Sequence, residues 1–280
     1  MNLTIQRSEV RGTVNAPPSK SYTHRAIAIA ALSKKAKVRN PLISEDTKAT
    51  IRASEAFGAS IESRNGWLDI RGFEGKPGTP DNVIDVANSG TTLRIMTAVA
   101  SLADGVSVLT GDASIRTRPN TPLLAALNDL GAAAFSTRDN GFAPLVVRGK
   151  MKGGRVSIDG SISSQFISAL LIACPFAQNE TMISIKGELK SRPYVNITID
   201  MLRGAGAQIR THDDAGSFIV PPSQELNMSS YNVPGDFSSA SYMMAAGALC
   251  GEIAIKNLYP SEQGDSVLID ILGKMGARIS

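Results

Sequence analysis

Apolar and polar positions along this chain switch between a strand-like and a helix-like period, and the switch recurs four times. The first instance is Ala26-Ile27-Ala28-Ile29-Ala30-Ala31-Leu32, an apolar run reached through Ser19-Lys20-Ser21-Tyr22-Thr23-His24-Arg25 after Pro17-Pro18 has halted the extended chain. Ser19 is a good N-cap, so the pattern predicts a mostly buried helix whose polar N-terminus is its working end. Equivalent Ser-rich helix starts stand at Asn88-Ser89-Gly90-Thr91-Thr92, Ser161-Ile162-Ser163-Ser164-Gln165 and Asp236-Phe237-Ser238-Ser239. A β-branched strand is predicted after each helix, as at Val106 to Thr110, Met182 to Lys186 and Ile253 to Lys256, followed by a second helix. Each second helix ends on Gly-Ala, with glycines at 58, 131, 206 and 276, spaced by 73, 75 and 70 residues. So regular a period identifies an internal repeat.

The first three copies close with a hairpin, legible at Trp67-Leu68-Asp69-Ile70, Pro144-Leu145-Val146-Val147 and Ser217-Phe218-Ile219-Val220. The unit is therefore βαβαββ, and the fold class is α/β. One apolar face per sheet and strongly apolar helices predict units packed with helices inward and sheets outward. The glycine of each Gly-Ala is placed to supply a left-handed helix C-cap. Met1 to Arg7 alternates like a further strand. The composition shift at Val220-Pro221-Pro222-Ser223 reads equally as a loop or as a boundary on turn statistics; the repeat count favours a boundary. The fourth copy stops at Ile279-Ser280 without its hairpin, so the chain reads as cut short. That copy is expected to lack sheet partners and to be poorly ordered or covered by another chain.

Composition adds mainly exclusions. With 280 residues and 42% hydrophobic content, the chain has material for one large or two smaller cores. A formal charge of +4 is mildly basic, but Lys and Arg are dispersed and do not alternate with aromatics, which argues against nucleic-acid binding. Cys174 and Cys250 both sit in Ala/Leu/Met-rich segments, where free cysteine behaves as a small buried hydrophobe, and this fits a reducing cytoplasm. His24 and His212 are far apart, and no cluster has metal-ligand spacing. The N-terminus has no signal-peptide core, and the apolar helix from Phe166 meets Pro175 too soon to cross a bilayer, so a cytoplasmic protein off the membrane is expected.

The helix starts carry the candidate chemistry. Free N–H groups and the positive end of the helix dipole attract anions, and Lys20, Arg25, Arg94 and Arg118 add full positive charges, with hydroxyls at Ser21, Ser163, Ser164 and Ser191. Ser21 and Arg25 are four apart and share a helix face; Gly90 and Arg94 repeat that spacing. Thr117-Arg118-Pro119 and Ser191-Arg192-Pro193 place Pro at the first position of the second helices, with Arg just outside. Any one of these, taken alone, reads first as a capped helix with a solvated first turn. Related by rotation, the four would converge on one mouth for a small molecule bearing several negative charges.

The motifs Lys20-Ser21 with Arg25, Asn88-Ser89-Gly90-Thr91 with Arg94, Arg118-Pro119, Ser163-Ser164-Gln165, Ser191-Arg192-Pro193-Tyr194 and Gly235-Asp236-Phe237-Ser238-Ser239-Ala240 resemble those of the 5-enolpyruvylshikimate-3-phosphate synthases, in that family's order along the whole chain. The resemblance implies the inverse α/β barrel of the enolpyruvyl transferases: two lobes of three βαβαββ units with the site between them. Residues 14–223 would form the first lobe, and 1–13 with 224–280 an incomplete second one. It implies transfer of the enolpyruvyl group of phosphoenolpyruvate to the 5-hydroxyl of shikimate 3-phosphate, releasing phosphate, with no metal or organic cofactor. Lys20 would be the catalytic residue, touching both substrates. Ser21 and Arg25 would take the shikimate carboxylate, Ser163, Ser164 and Ser191 the 3-phosphate, and Gln165 and Tyr194 the ring side. Asn88, Gly90, Arg118 and Gln165 would line the phosphoenolpyruvate position, with Arg94 in a more structural role.

The family's acid/base Asp and Glu and its further phosphoenolpyruvate clamp have no counterpart here, so the isolated chain is expected to bind but turn over poorly. Two rivals stand beside this reading. One is the related UDP-N-acetylglucosamine enolpyruvyl transferase, which carries Lys-Asn where this chain has Lys20-Ser21 and commonly a loop cysteine near Ser114 to Arg118. The other is a non-catalytic phosphate-ligand module, or half of a split enzyme completed by a second chain.

Overall fold

The computed structural model describes residues 8–212 and 216–280; the strand expected over Met1 to Arg7 lies outside the described residues. By contacts the chain divides into a smaller unit, residues 1–19 with 234–280, and a larger unit, residues 20–233.

The first described element of the smaller unit is β1 (Val10–Asn15). Three copies of the repeat then make up the larger unit. The first holds α1 (Lys20–Leu32), β2 (Lys35–Arg39), α2 (Glu45–Ala56), β3 (Ser60–Arg64) and β4 (Trp67–Arg71). The second holds β5 (Ile84–Asp85), α3 (Gly90–Ala100), β6 (Val106–Thr110), α4 (Thr121–Asp129), β7 (Ala133–Ser136) and β8 (Leu145–Arg148). The third holds β9 (Gly154–Asp159), α5 (Ser164–Ala173), β10 (Thr181–Lys186), α6 (Arg192–Gly204), β11 (Arg210–His212) and β12 (Ser217–Val220). β13 (Ser230–Asn232) completes the unit.

The three sheets share one topology. In β5-β6-β8-β7 and β9-β10-β12-β11, the leading strand runs parallel to the second and the closing hairpin adds two antiparallel strands. In the first copy the leading place is taken by β13, which pairs in parallel with β2. β1, which precedes that copy in sequence, pairs instead with β14 (Gly251–Lys256) of the smaller unit.

Packing follows the residue pattern. On β2, Lys35, Lys37 and Arg39 are exposed while Ala36 and Val38 are buried, as a half-buried sheet requires. α1 is buried from Tyr22 to Leu32, and α3 and α5 are nearly so; helices that are apolar all round form a centre rather than a surface. Ile27, Ile29, Leu32, Ile95, Met96, Phe166 and Leu170 lie in that core. Burying each of these side chains is worth about 1.5–3 kcal/mol, which is why the first helix of each copy sits innermost. The four Gly-Ala glycines all have positive φ, between +90° at Gly131 and +105° at Gly58, as a left-handed helix end demands.

Several local expectations shift. The units divide at 19/20 and 233/234 rather than at 13/14 and 223/224. Pro221-Pro222 is a loop: past it, the Gln224 amide bonds to the carbonyls of Gln208 and Pro221, and Leu226 and Met228 enter the core of the larger unit. Pro119 lies outside α4, which has Asn120 before its first residue and Pro122 in its first turn. Arg192 is the first residue of α6, and Pro193 follows it. Cys174 is buried, but Cys250 is exposed because α7 has little packed against it.

In the smaller unit, α7 (Phe237–Cys250) starts at Asp236, whose carboxylate accepts the Ser239 N–H at 2.9 Å, and α8 (Leu268–Lys274) follows β14. The Gln263 amide accepts from the Phe237 N–H at 3.0 Å and donates to the Gly235 carbonyl at 2.9 Å. Along α7 only Phe237 and Ala240 are buried, while Tyr242 and Leu249 are exposed. Among the described residues β14 pairs with β1 alone.

Candidate functional site

The first turns of α1, α3 and α5 lie together in the larger unit, tied by bonds between their own side chains and backbone. Ser89 caps α3 by accepting the Thr92 N–H at 3.2 Å, and Ser163 caps α5 by accepting the Gln165 N–H at 3.3 Å. Other first-turn N–H groups remain as anion donors at these ends. Lys20 opens α1, and its Nζ donates to Asp46 Oδ2 at 2.8 Å. Asp46 stands in the first turn of α2 beside the capping box of Ser44 and Thr47. In the sequence it looks like any acid at a helix start, so its pairing with Lys20 was not foreseen.

Arg25 is buried, with 2% of its surface exposed. Nε donates to Thr198 Oγ1 at 2.7 Å, Nη1 to the Ser21 carbonyl at 3.0 Å, and Nη2 to Ser168 Oγ at 3.1 Å and the Tyr194 carbonyl at 3.0 Å. These bonds engage four of the five guanidinium N–H groups. No partner is a carboxylate. Burial pulls its pKa down to about 10, opposed by Tyr194 and Tyr22, so the group stays charged at neutral pH without a counter-ion. The Tyr194 ring centroid lies 6.0 Å from its Cζ. The residue stands on the Ser21 face as expected, but offers an outside ligand little beyond its Nη1 end and its charge.

Arg94 reaches from α3 to α5, donating to Gln165 Oε1 at 2.5 Å while its guanidinium lies 4.9 Å from the Phe166 ring centroid. Burial lowers its pKa, and the nearby Arg118 charge lowers it further. Arg118 is exposed and donates to Ser114 Oγ at 3.3 Å. Its Nη1 lies 2.8 Å from where a Cβ on Gly90 would stand, so the bare backbone of Gly90 leaves the room that this guanidinium occupies. Two guanidinium groups that repel each other, with no ion pair to either among the described residues, favour an anion between them.

Asn88 is half-buried just before α3, Ser164 is buried, Ser163 is half-buried and so is Tyr194. Ser191 is exposed before α6 with φ +54°, an uncommon left-handed conformation for serine. Such strain clusters at functional sites.

Behind the first turns runs a buried polar chain that sequence reasoning missed. His24 Nδ1 lies 2.6 Å from Thr50 Oγ1, which lies 2.7 Å from Thr92 Oγ1, itself 2.6 Å from Ser89 Oγ. It joins α1, α2 and the cap of α3. Burial, with Arg25 and Lys20, outweighs the pull of Asp46 and lowers the His24 pKa from 6.5 to about 3, so the ring is neutral. Apolar-looking helices hid it; the one signal was a histidine inside a buried run. A cavity of about 890 Å³ lies at the other ends of these helices, lined by Leu32, Lys34, Asp104, Lys150 and Phe176 among others, and contains none of the candidates. No group of three His, Cys, Asp or Glu could hold a metal, and no helix is long and apolar enough to cross a membrane, among the described residues.

Comparison with known proteins follows the same lines. A family model described as EPSP synthase (3-phosphoshikimate 1-carboxyvinyltransferase) matches residues 5–280. The curated 3-phosphoshikimate 1-carboxyvinyltransferase of Methanosarcina acetivorans is 60% identical over 283 residues, covering 100% of this chain and 66% of that protein. The protein of the same name from Methanothrix thermoacetophila is 60% identical over 280 residues, with the same shares covered. A solved structure, EPSP synthase from Acinetobacter baumannii, superposes with a TM-score of 0.83 at 28% identity, over 95% of this chain and 60% of that one. The chain thus spans about 66% of the length of these curated relatives.

Proposed function

This chain belongs to the EPSP synthase family, and from that premise we propose that its larger unit binds shikimate 3-phosphate as part of an enzyme that transfers the enolpyruvyl group of phosphoenolpyruvate to the substrate's 5-hydroxyl, releasing phosphate. The observation that carries the reading is the charge at the first turns: Lys20, Arg25, Arg94 and Arg118 are drawn to one end of the unit, and among the described residues Asp46 is the one carboxylate bonded to any of them. Such an excess suits ligands with several negative charges.

In this reading Lys20 touches both substrates and is the catalytic residue of the set. Ser21 and the Nη1 end of Arg25 take the shikimate carboxylate. Ser163, Ser164 and Ser191 take the 3-phosphate with free N–H groups of α5 and α6, and Gln165 and Tyr194 face the ring. Asn88, Gly90, Arg118 and Gln165 line the phosphoenolpyruvate position, with Arg94 holding Gln165. Arg forks and helix-end N–H groups bind these anions in the ground state and stabilise charge that shifts during addition and elimination. With a single carboxylate at hand, proton transfer is poorly served, so the 280 residues alone bind and turn over negligibly. The UDP-N-acetylglucosamine rival is not favoured: the relatives are named for the shikimate reaction.

Calorimetric titration of the chain with shikimate 3-phosphate, against shikimate and inorganic phosphate as controls, tests the proposal. Saturable binding that needs both carboxylate and phosphate, and is weakened by Ser163→Ala, is the expected result. A folded chain that shows no saturable binding would refute it.

A further inference from the structure

Two of the residues that hold Arg25, Thr198 and Ser168, lie outside every sequence motif. Thr198, on α6, is wholly buried and accepts the Arg25 Nε–H. Its own single hydrogen goes to the Tyr194 carbonyl at 2.8 Å or to Ser168 Oγ at 2.9 Å. Ser168, on α5, is also buried and accepts from Arg25 Nη2. One edge of the guanidinium, Nε with Nη2, is therefore closed by two hydroxyls and the Tyr194 carbonyl. The other end, Nη1, lies against the Ser21 carbonyl in the first turn of α1, where the proposed ligand sits.

A guanidinium has two edges that could meet a carboxylate in a fork. Here one edge is consumed by the protein, and a four-bond stem on α1 is fixed in direction by α5 and α6. We infer that Thr198 and Ser168 are positioning residues for carboxylate recognition: they lock the Nε–Nη2 edge of Arg25 so that its Nη1 end alone meets the carboxylate of the bound ring. They touch no substrate themselves. The inference rests on the proposed binding of shikimate 3-phosphate and goes beyond it by naming what sets selectivity for the carboxylate. Hydroxyls suit the task because a carboxylate in their place would neutralise Arg25 and compete with the ligand.

The test uses Thr198→Val, which keeps volume and removes the hydroxyl, with Thr198→Ser as the rescue and Ser168→Ala as an independent variant. Each chain is titrated with shikimate 3-phosphate and with the corresponding ring phosphate lacking the carboxylate. Wild type binds the first more tightly. Thr198→Val and Ser168→Ala lose about tenfold for shikimate 3-phosphate, a difference of about 1.4 kcal/mol, and change less than twofold for the ligand without the carboxylate. Thr198→Ser behaves as wild type. A structural role alone would lower both affinities together, and that result, or no change in either, overturns the inference while wild-type binding still supports the reading beneath it. Absence of wild-type binding overturns both.

Discussion

Acidification should unload stability from the larger unit through one buried ring. In the folded chain His24 has its pKa lowered from 6.5 to about 3, with burial the largest cause and the charges of Arg25 and Lys20 adding to it. A depressed folded pKa means that the unfolded chain binds the proton first. The stability contributed by the neutral ring is complete above pH 6.5 and is lost progressively as pH falls toward 3. Between pH 7.5 and 5 the loss from this group is about 2 kcal/mol, and by pH 4 about 3 kcal/mol. Carboxylates lose stability over the same range, so the measurement must be differential. Urea unfolding of wild type and His24→Leu, followed by circular dichroism at pH 7.5, 6 and 5, isolates the ring. Leu cannot titrate, and Thr50 keeps Thr92 as a partner after the change. The wild-type midpoint should fall more steeply, by an amount equivalent to about 4–8 °C in Tm at pH 5 for a domain of 150–250 residues. If His24→Leu loses as much stability as wild type between pH 7.5 and 5, the ring is not held neutral and the reasoning fails.

Two further substitutions separate stability from binding. Gly90→Ala puts a methyl group 2.8 Å from Arg118 Nη1, the far end of a flexible side chain, so the guanidinium swings away at little expense to the fold. Tm should change by no more than about 1 kcal/mol equivalent, while phosphoenolpyruvate binding to the chain loaded with shikimate 3-phosphate weakens; unchanged binding by titration would contradict the role given to Arg118. Ser191→Gly removes a left-handed serine and should stabilise the chain by about 0.5–1 kcal/mol in thermal unfolding, yet weaken shikimate 3-phosphate binding through loss of a hydroxyl. A destabilised Ser191→Gly chain would show that the hydroxyl, not the φ, dominates there.

The repeat could be read from the chain because its markers are local. Gly58, Gly131, Gly206 and Gly276 each require a backbone that glycine adopts most readily, and Ser89 and Ser163 cap helices within three residues of themselves. The candidate residues Lys20, Arg25, Arg94, Gln165 and Arg118 were equally visible as charged or polar groups at helix starts. What stayed hidden depended on partners distant in sequence. Thr198 bonds Arg25 across 173 positions, and in its own helix it is only a β-branched residue on a buried face. Asp46 resembled a capping acid until Lys20 was placed beside it. Pro221-Pro222 fits a loop as well as a boundary, and it was the repeat count that pointed to a boundary, while the pairing of β13 with β2 is a tertiary fact with no local signature.

That pairing has a consequence for the order in which the protein is made. β2 is complete at Arg39, but its parallel neighbour does not begin until Ser230. On a ribosome adding about 5–20 residues per second, roughly 190 residues separate the two, so β2 waits about 10–40 s with one side open. An unpaired strand of that kind invites pairing with another nascent chain. Lys35, Lys37 and Arg39 occupy every outward position of β2, and like charges on neighbouring copies repel. The same three side chains that look like ordinary surface in the finished fold put like charge on that open strand until β13 closes it.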